Sequence, residues 1–511
     1  MRASLVFPSG AGRFLIPLVL AFACAALLLQ KIDLSIVDLG RHLKNGDVLL
    51  HGTWAEKQAV LHANFYSYAQ GEFPFVNHHW LSGVVFYSIW RAVHFEGLTV
   101  LYFALVAASL IVMYLAVRRA YGTTIAAPLA ALAVPLLAWR YEVRPEAFSY
   151  LLTAVFYAVL LAWQQGRLQD RWLYVLPVLM LLWVNLHIGF VFGFLLIGFF
   201  ALKSADYGRK LWPVAALSVF AALLNPNLLA GLLYPLNIFR NYGYSVAENQ
   251  SIVGLESRGM AGAWEYTFFY WMLGLAAGSF VLRWFVKKPG SATRGPEALL
   301  LGAVAFLALN AVRNLPFFAL LMIPMVAGNL HDVFSAGKNL LSSTSLRVGS
   351  AVVFGIGLLY SSQQYEGKQR NFGIGLRDGV EATMDFLRAN HIAGPWFNDM
   401  DNGGYLIFHS QPVFVDGRPE AYPAEFLEKS YTGALSDEAV WHDLDAKYHF
   451  NAIVCSLEDA FPPIERFLIA RAHDSAWAPV YTDYYSLVFV RRTDGNADVI
   501  RAHEIPQSQF R

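Results

Sequence analysis

The stretch VDLGRHLKNG, residues 37–46, sets an acid, a guanidinium and an imidazole directly after the first long apolar run of a 511-residue chain. Arg41 lies three residues and His42 four residues beyond Asp38. On a helix the three side chains therefore share a face. A carboxylate at a lipid–water boundary can take the proton of an attacking hydroxyl, or bind a divalent cation that clamps a phosphate. It can also do no more than pair with Arg41 or cap the helix. Asp33 and Asp47 offer weaker versions of the same chemistry on the same loop.

Further along, PFVNHHWLSG (74–83) carries His78 and His79. Adjacent histidines point apart on a helix and make poor joint ligands, whereas in an irregular loop one of them can bind phosphate or metal. In RYEVRPEAF (140–148), Pro145 can open the next helix, leaving Arg144 for bidentate phosphate binding. The structural alternative there is pairing of Arg140 and Arg144 with Glu142 and Glu146. Asn185 and His187 stand in the apolar run LLWVNLHIGF (181–190), and Arg313 in NAVRNLPFF (310–318). Polar groups at membrane depth are costly and tend to line aqueous cavities. In FNDMDNGGYLIFHSQPVFVDGRPEAY (397–422), Gly403 and Gly404 permit a tight turn. Asp416 and Arg418 either contact substrate or pair with each other, the pair being the favoured reading.

These residues need a scaffold, and composition says which. Hydrophobic residues make up 56% of the chain and charged residues only 15%, against about 25% charged in soluble domains. The charge deficit lies before about residue 362, so a polytopic membrane domain (1–362) precedes an extramembrane domain (371–495) and a tail (496–511). The fold class expected is mainly α, a transmembrane helix bundle with a C-terminal α/β domain. Apolar windows near 14–31, 97–117, 124–139, 147–163, 172–184, 188–202, 211–224, 267–284, 298–312, 315–330 and 348–361 predict roughly 11 to 13 spans. The first is read as a retained signal-anchor helix. Cys24 and Cys455 fall in a predicted span and in the soluble domain, so no disulfide is expected between them.

Loop lysines and arginines gather in 117–122, 164–171, 203–210, 283–294 and 336–347. They fall on one, cytoplasmic, side with Arg2 and Arg13 only if the aromatic stretches 81–94 and 228–240 lie in the interface instead of crossing. The long first loop 32–96, the other unusual polar motifs and the C-terminal domain then share the opposite, periplasmic face of a bacterial inner membrane. In the C-terminal domain, period and composition predict helices at 378–390, 423–434, 437–446 and 461–472 and strands at 412–418, 451–456 and 485–492. The net charge of +1 gives no argument for nucleic acid. The chain contains no Walker, dinucleotide-binding, nucleophile-elbow or zinc motif.

The ordered set DLGRHLKNGDVL, NFYSY…FPFVNHHWL, VRPEAFSYLL, VNLHIGFVFG, LLNPNLLAGLLYPL, VRNLPFFALLMIP and NGGYLIFHSQPVFVDGRPEAY resembles, over nearly the whole chain, bacterial membrane proteins near the GT-C class of glycosyltransferases. The resemblance implies transfer of a sugar from a polyprenyl-phosphate donor to a glycan, lipid or protein acceptor on the periplasmic face. In that class the first-loop carboxylate, here Asp38, is base or metal ligand, with Mg or Mn as the candidate cation. Arg144 and Arg313 match the basic residues that hold the lipid phosphate. Arg41, His42, His78, His79, Glu146, Asn185, His187, Asp416 and Arg418 complete the candidate substrate-binding set. The chain departs from the commoner acidic pair, because no Asp or Glu stands one residue from Asp38. Two rival readings stand beside this one. A transporter or flippase of a lipid-linked intermediate requires polar residues from face to face. A non-catalytic envelope assembly protein requires none of the candidate residues.

Overall fold

The computed structural model describes residues 12–35, 38–244, 246–257, 263–286, 294–336, 343–457 and 462–510. Arg2 and the expected inner-loop stretches 287–293 and 337–342 lie outside the described residues. The chain forms two compact units. One comprises Met1–Gln30, Thr99–Leu228 and Val246–Ile374; the other comprises Lys31–Leu98, Leu229–Ser245 and Gly375–Arg511. The first-loop segment 31–98 thus folds in the same unit as the C-terminal segment.

The first unit is helical, and its helices follow the apolar windows of the sequence. They include Gly12–Leu28, Thr123–Leu137, Glu146–Gln164, Val175–Leu186, Val191–Ala201, Ala205–Leu223, Ala263–Val286, Gly295–Asn310, Leu315–Ala336 and Ser343–Lys368. Each apolar window therefore corresponds to a helix, the 97–117 window being covered by Trp80–Tyr121. A membrane needs about 20 apolar helical residues to be crossed. Five helices among the described residues are long and apolar enough, or up to six when the bent pair Ala205–Leu223 and Leu228–Asn237 counts as one. Four shorter apolar helices accompany them. The 81–94 stretch is helical and is parted from the helix that covers the 97–117 window where Val93 and His94 leave helical geometry (φ 51° at His94).

The core of this unit is built on the helix Leu315–Ala336, whose residues Phe317 to Ile323 are almost wholly buried. Phe317 stacks on Phe192 at 4.0 Å and meets Tyr150 edge-on at 5.0 Å between ring centroids. The Ala-rich helix Thr123–Leu137 is buried all round, as a helix without a polar face should be.

The second unit carries a four-stranded sheet of order β1-β2-β4-β3, with β1 Trp396–Asn398, β2 Ala452–Ser456, β3 Trp477–Thr482 and β4 Ser486–Arg491. β1 runs parallel to β2, and the other pairings are antiparallel. Helices Ala382–Ala389, Glu438–Tyr448 and Pro462–His473 occupy the predicted helical stretches, and 423–434 forms a π-helical turn, Phe426–Tyr431, continued by Thr432–Ala434. An aromatic core of Phe397, Phe414, Trp441, Phe450, Phe467 and Trp477 lies beneath the sheet.

The expected strand at 412–418 does not form. Its apolar part, Val413 to Val415, is fully buried, but its backbone is satisfied otherwise. Val413 N–H donates to the Tyr66 carbonyl (3.1 Å) and Tyr68 N–H to the Val413 carbonyl (3.0 Å). The Asn398 side chain accepts from Phe414 N–H and donates to the Val415 carbonyl, at 2.8 and 2.7 Å. A buried backbone must find partners, and here a first-loop segment and one amide side chain replace a ladder. Gly403 and Gly404, expected in a tight turn, instead open the short helix Gly403–Phe408. Missing side chains permit close packing here: a Cβ on Gly403 would stand 2.5 Å from Asp416 Cα, and one on Gly40 would overlap the Gly404 carbonyl oxygen.

Candidate functional site

The candidate residues fall into two clusters, one in each unit. In the second unit, Asp38 is the N-terminal flanking residue of the helix Leu39–His51 but makes no capping hydrogen bond. Its carboxylate lies 3.5 Å from Arg41 Nη2 and its side chain keeps 27% of its surface exposed. Arg41 is only 3% exposed, and its Nε and Nη1 have no hydrogen-bond partner among the described residues. Gly417 closes over the acid, for a Cβ built on it would stand 2.7 Å from Asp38 Oδ1. Glu420 follows three residues on, half-buried, and its removal from water raises its carboxyl above the usual range.

The other two acids of this loop are committed elsewhere. Asp33 accepts from Ser35 N–H at 2.9 Å and pairs with Arg377. Asp47 pairs with Lys44 at 2.9 Å and meets His51 at 3.2 Å. His42 is buried edge-on against His79 and Phe86, with 5.3 and 6.2 Å between centroids. His78 packs on His79 at 3.7 Å and on Tyr234 at 4.6 Å.

Asp416 and Arg418 take each other. Arg418 Nε donates to Asp416 Oδ1 (2.7 Å) and Nη2 to Oδ2 (2.6 Å), a bidentate pair that is almost entirely buried. Arg418 Nη2 also donates to Asn64 Oδ1 at 2.7 Å, Tyr422 OH donates to Asp416 Oδ2 at 3.1 Å, and the guanidinium lies 4.6 Å over the Phe75 ring. Burial pushes the Asp416 carboxyl up, but Arg418 outweighs it and holds the group below the usual carboxylate range.

In the first unit, the loop before the helix Glu146–Gln164 gathers charge. Tyr102 OH donates to the Arg140 carbonyl at 2.7 Å and so fixes the loop's entry. Arg140 Nε donates to Glu146 Oε1 at 2.8 Å, in the first turn of that helix, where an acid also suits the helix dipole. Arg140 Nη2 and Arg144 Nη1 both stand 2.9 Å from Glu248 Oε2, and Arg313 Nη1 stands 3.9 Å from Glu248 Oε1. Burial pushes the Glu248 carboxyl up, yet Arg140, Arg144 and Arg313 together hold it well below the usual carboxylate range. Arg313, 26% exposed, is the most accessible of the three guanidiniums.

His187 joins this cluster with a defined tautomer. Gly189 N–H donates to its Nδ1 at 3.0 Å, and Ser149 Oγ lies 2.7 Å from the same atom while accepting from Trp183 Nε1 at 2.7 Å. Nδ1 is therefore the acceptor, and Nε2 carries the proton, 4.0 Å from Glu146 Oε2. Burial, reinforced by Arg313 and Arg140, pushes the imidazole down to about 3, so it is neutral at physiological pH. Asn185 serves the scaffold: its amide donates to the Leu181 and Leu224 carbonyls at 2.8 and 3.0 Å, tying two helix ends.

The sequence reading did not single out Glu248, Ser149, Gly417 or Glu420. Glu248 lies in a long loop, 104 residues from Arg144, one of the arginines it meets, and no local pattern signals it. No group of three His, Cys, Asp or Glu side chains placed to hold a metal ion occurs among the described residues. Asp38 faces the Arg41 guanidinium at 3.5 Å.

No protein-family model and no characterised protein matches the sequence. Solved structures do match in fold. ArnT from Cupriavidus metallidurans bound to undecaprenyl phosphate is 13% identical with a TM-score of 0.52, covering 95% of this chain and 99% of that one. The archaeal oligosaccharyltransferase AglB from Archaeoglobus fulgidus, in complex with an inhibitory peptide and a dolichol-phosphate, is 10% identical with a TM-score of 0.62, covering 94% and 74%. The arabinofuranosyltransferase AftD from Mycobacteria is 15% identical with a TM-score of 0.51, covering 94% of this chain and 40% of its own. A helical membrane bundle with a small C-terminal mixed sheet, matched over nearly its whole length to these enzymes, has the GT-C glycosyltransferase fold.

Proposed function

We propose that this chain is a membrane glycosyltransferase that moves a sugar from a polyprenyl-phosphate-linked donor to an envelope glycan, lipid or protein acceptor on the periplasmic face of a bacterial inner membrane. The observation that carries the reading is the fold, shared over 95% of the chain with an ArnT structure that holds undecaprenyl phosphate. In the reaction, the bond between the sugar's anomeric carbon and the donor phosphate oxygen breaks, and a bond from the acceptor oxygen to that carbon forms. The acceptor proton goes to a carboxylate, which we assign to Asp38, partly exposed and approached by the Arg41 guanidinium. The leaving polyprenyl phosphate carries the released electron pair. Binding of the donor's lipid phosphate is assigned to Arg144 and Arg313 of the first unit, with His187 Nε2–H a neutral donor in the same cluster. Arg41, with two buried nitrogens lacking hydrogen-bond partners among the described residues, is assigned to a substrate anion or hydroxyl.

The test is envelope glycan and glycolipid profiling of a deletion strain complemented with wild type, Asp38→Asn or Asp38→Ala at equal membrane abundance. Restoration by wild type alone supports the transferase. Full restoration by both variants removes Asp38 from the chemistry and favours transport or assembly.

A further inference from the structure

The arginine cluster of the first unit already grips an anion. Arg144 Nη1 donates to Glu248 Oε2 at 2.9 Å, while Arg140 Nη2 stands 2.9 Å from the same oxygen and Arg313 Nη1 3.9 Å from Oε1. The acids around them differ in how they are held. Glu146 is built into the first turn of a helix and fixed by Arg140 at 2.8 Å. Glu142 lies in the loop itself and adds a third negative charge close to Arg140 and Arg144. Glu248 sits on a three-residue 3₁₀ turn, Ala247–Asn249, whose backbone reaches the helix-opening turn Val312–Asn314 through Val312 N–H donating to the Gln250 carbonyl at 3.2 Å. Its side chain is 23% exposed, more than the 14% of Glu146, so it is the less enclosed of the two.

Three guanidiniums are thus set against three acids, of which Glu146 and Glu248 pair with them directly, and the neutral imidazole of His187 adds nothing to the balance. A neutral cluster has no long-range pull on a phosphate, whereas the same cluster without Glu248 carries one surplus positive charge. A carboxylate also presents its oxygens to guanidinium N–H groups much as a phosphate does. Resting on the assignment of these arginines to the donor phosphate, we propose that Glu248 is an internal stand-in for that phosphate. It keeps the three guanidiniums oriented and charge-balanced, and a polyprenyl phosphate must displace it to take their N–H groups. Glu248 then sets the affinity for the donor and for the lipid phosphate left after transfer, and lets the latter leave by competing for the same nitrogens.

The experiment measures the Kd of decaprenyl phosphate for the full chain in nanodiscs at fixed salt, for wild type, Glu248→Gln, Glu248→Asp and an Arg144→Gln/Arg313→Gln pair. Glu248→Gln keeps the shape but drops the competing charge, and is expected to bind about tenfold tighter, the worth of one charge-assisted contact. Glu248→Asp, too short to reach all three arginines, should fall between the two and serves if the Gln variant does not fold. Tightening in these variants, with the arginine pair weakened at least tenfold, supports the stand-in. If the arginine pair binds as wild type does, the phosphate assignment fails and the stand-in with it. If the arginine pair is weakened but the Glu248 variants bind equally or more weakly, the assignment survives and the stand-in is overturned.

Discussion

Replacing Asp416 with Asn keeps the shape of the side chain and removes its charge from beneath Arg418. The guanidinium donates to both Asp416 oxygens at 2.6–2.7 Å and otherwise, among the described residues, to Asn64 Oδ1, and the pair is almost entirely buried. Breaking a buried ion pair by neutralising one member typically costs about 3–5 kcal/mol, because the other charge stays buried without compensation. A unit of 150–250 residues loses roughly 2–4 °C in Tm per kcal/mol, so Asp416→Asn should lower the transition of the unit that contains it by about 10 °C. Exchanging the whole pair for apolar residues, Asp416→Leu with Arg418→Met, removes both charges and leaves only Asn64 and Tyr422 short of partners, at about 1 kcal/mol each. That double variant should therefore melt well above Asp416→Asn. Thermal unfolding of the detergent-solubilised full chain, followed by tryptophan fluorescence, reads the difference, since Trp441 and Trp477 are buried in the same unit. A transition for Asp416→Asn within 2 °C of wild type would refute the argument. If glycolipid synthesis were lost at that unchanged stability, the pair would be a substrate contact and not a structural one.

Arg144→Gln and Arg313→Gln should each raise the donor KM about tenfold or more in a reconstituted transfer assay; Arg313→Gln should disturb folding less, because Arg313 is more exposed and less tightly paired. His187 should show the Nε2–H tautomer in ¹⁵N-histidine spectra, assigned with His187→Gln, and remain neutral from pH 8 down to about 5, since its imidazole is depressed to about 3. Gly40→Ala should lower the melting temperature while leaving polyprenyl-phosphate binding unchanged, because its Cβ overlaps the Gly404 carbonyl oxygen. Asp416 and Glu248 are both depressed below ordinary carboxyl values, so their stabilisation is complete above the unfolded values near 4 and lost as pH falls through the folded ones. The thermal transition should accordingly fall on acidification below about pH 4, and by less in Glu248→Gln.

The helices were legible because nothing competes with a long apolar run, and each predicted window coincides with one. The sheet was only half legible. β2 and β4 are apolar and β-branched along their length and were expected. β3 contains Pro479, which argues against a strand. It is tolerated because β3 lies at the sheet edge and its register shifts between Pro479 and Tyr481. β1 is three residues long, too short for any period to show. The segment 412–418 has the composition of a strand without the pairing, since composition reports burial and Val413 to Val415 are indeed buried. Which groups satisfy a buried backbone is settled by residues as distant in sequence as Tyr66 and Asn398.

The same distinction governs the acids of the first loop. Asp33, Asp38 and Asp47 are equivalent as residue types, and their positions relative to the first apolar run separate them only weakly. What separates them in three dimensions is which cations reach them. Arg377, 344 residues away, takes Asp33, and local Lys44 and His51 take Asp47. Among the described residues, Asp38 receives only the 3.5 Å approach of Arg41, and it retains exposed surface. A general base needs an uncommitted lone pair and a path for its proton, and a carboxylate satisfied by short hydrogen bonds has given up the first. Asp38→Asn should therefore abolish transfer, whereas Asp33→Asn and Asp47→Asn should act through stability, lowering abundance in the membrane with little change in activity per molecule. Activity that followed abundance in all three variants would show that no acid on this loop takes the proton.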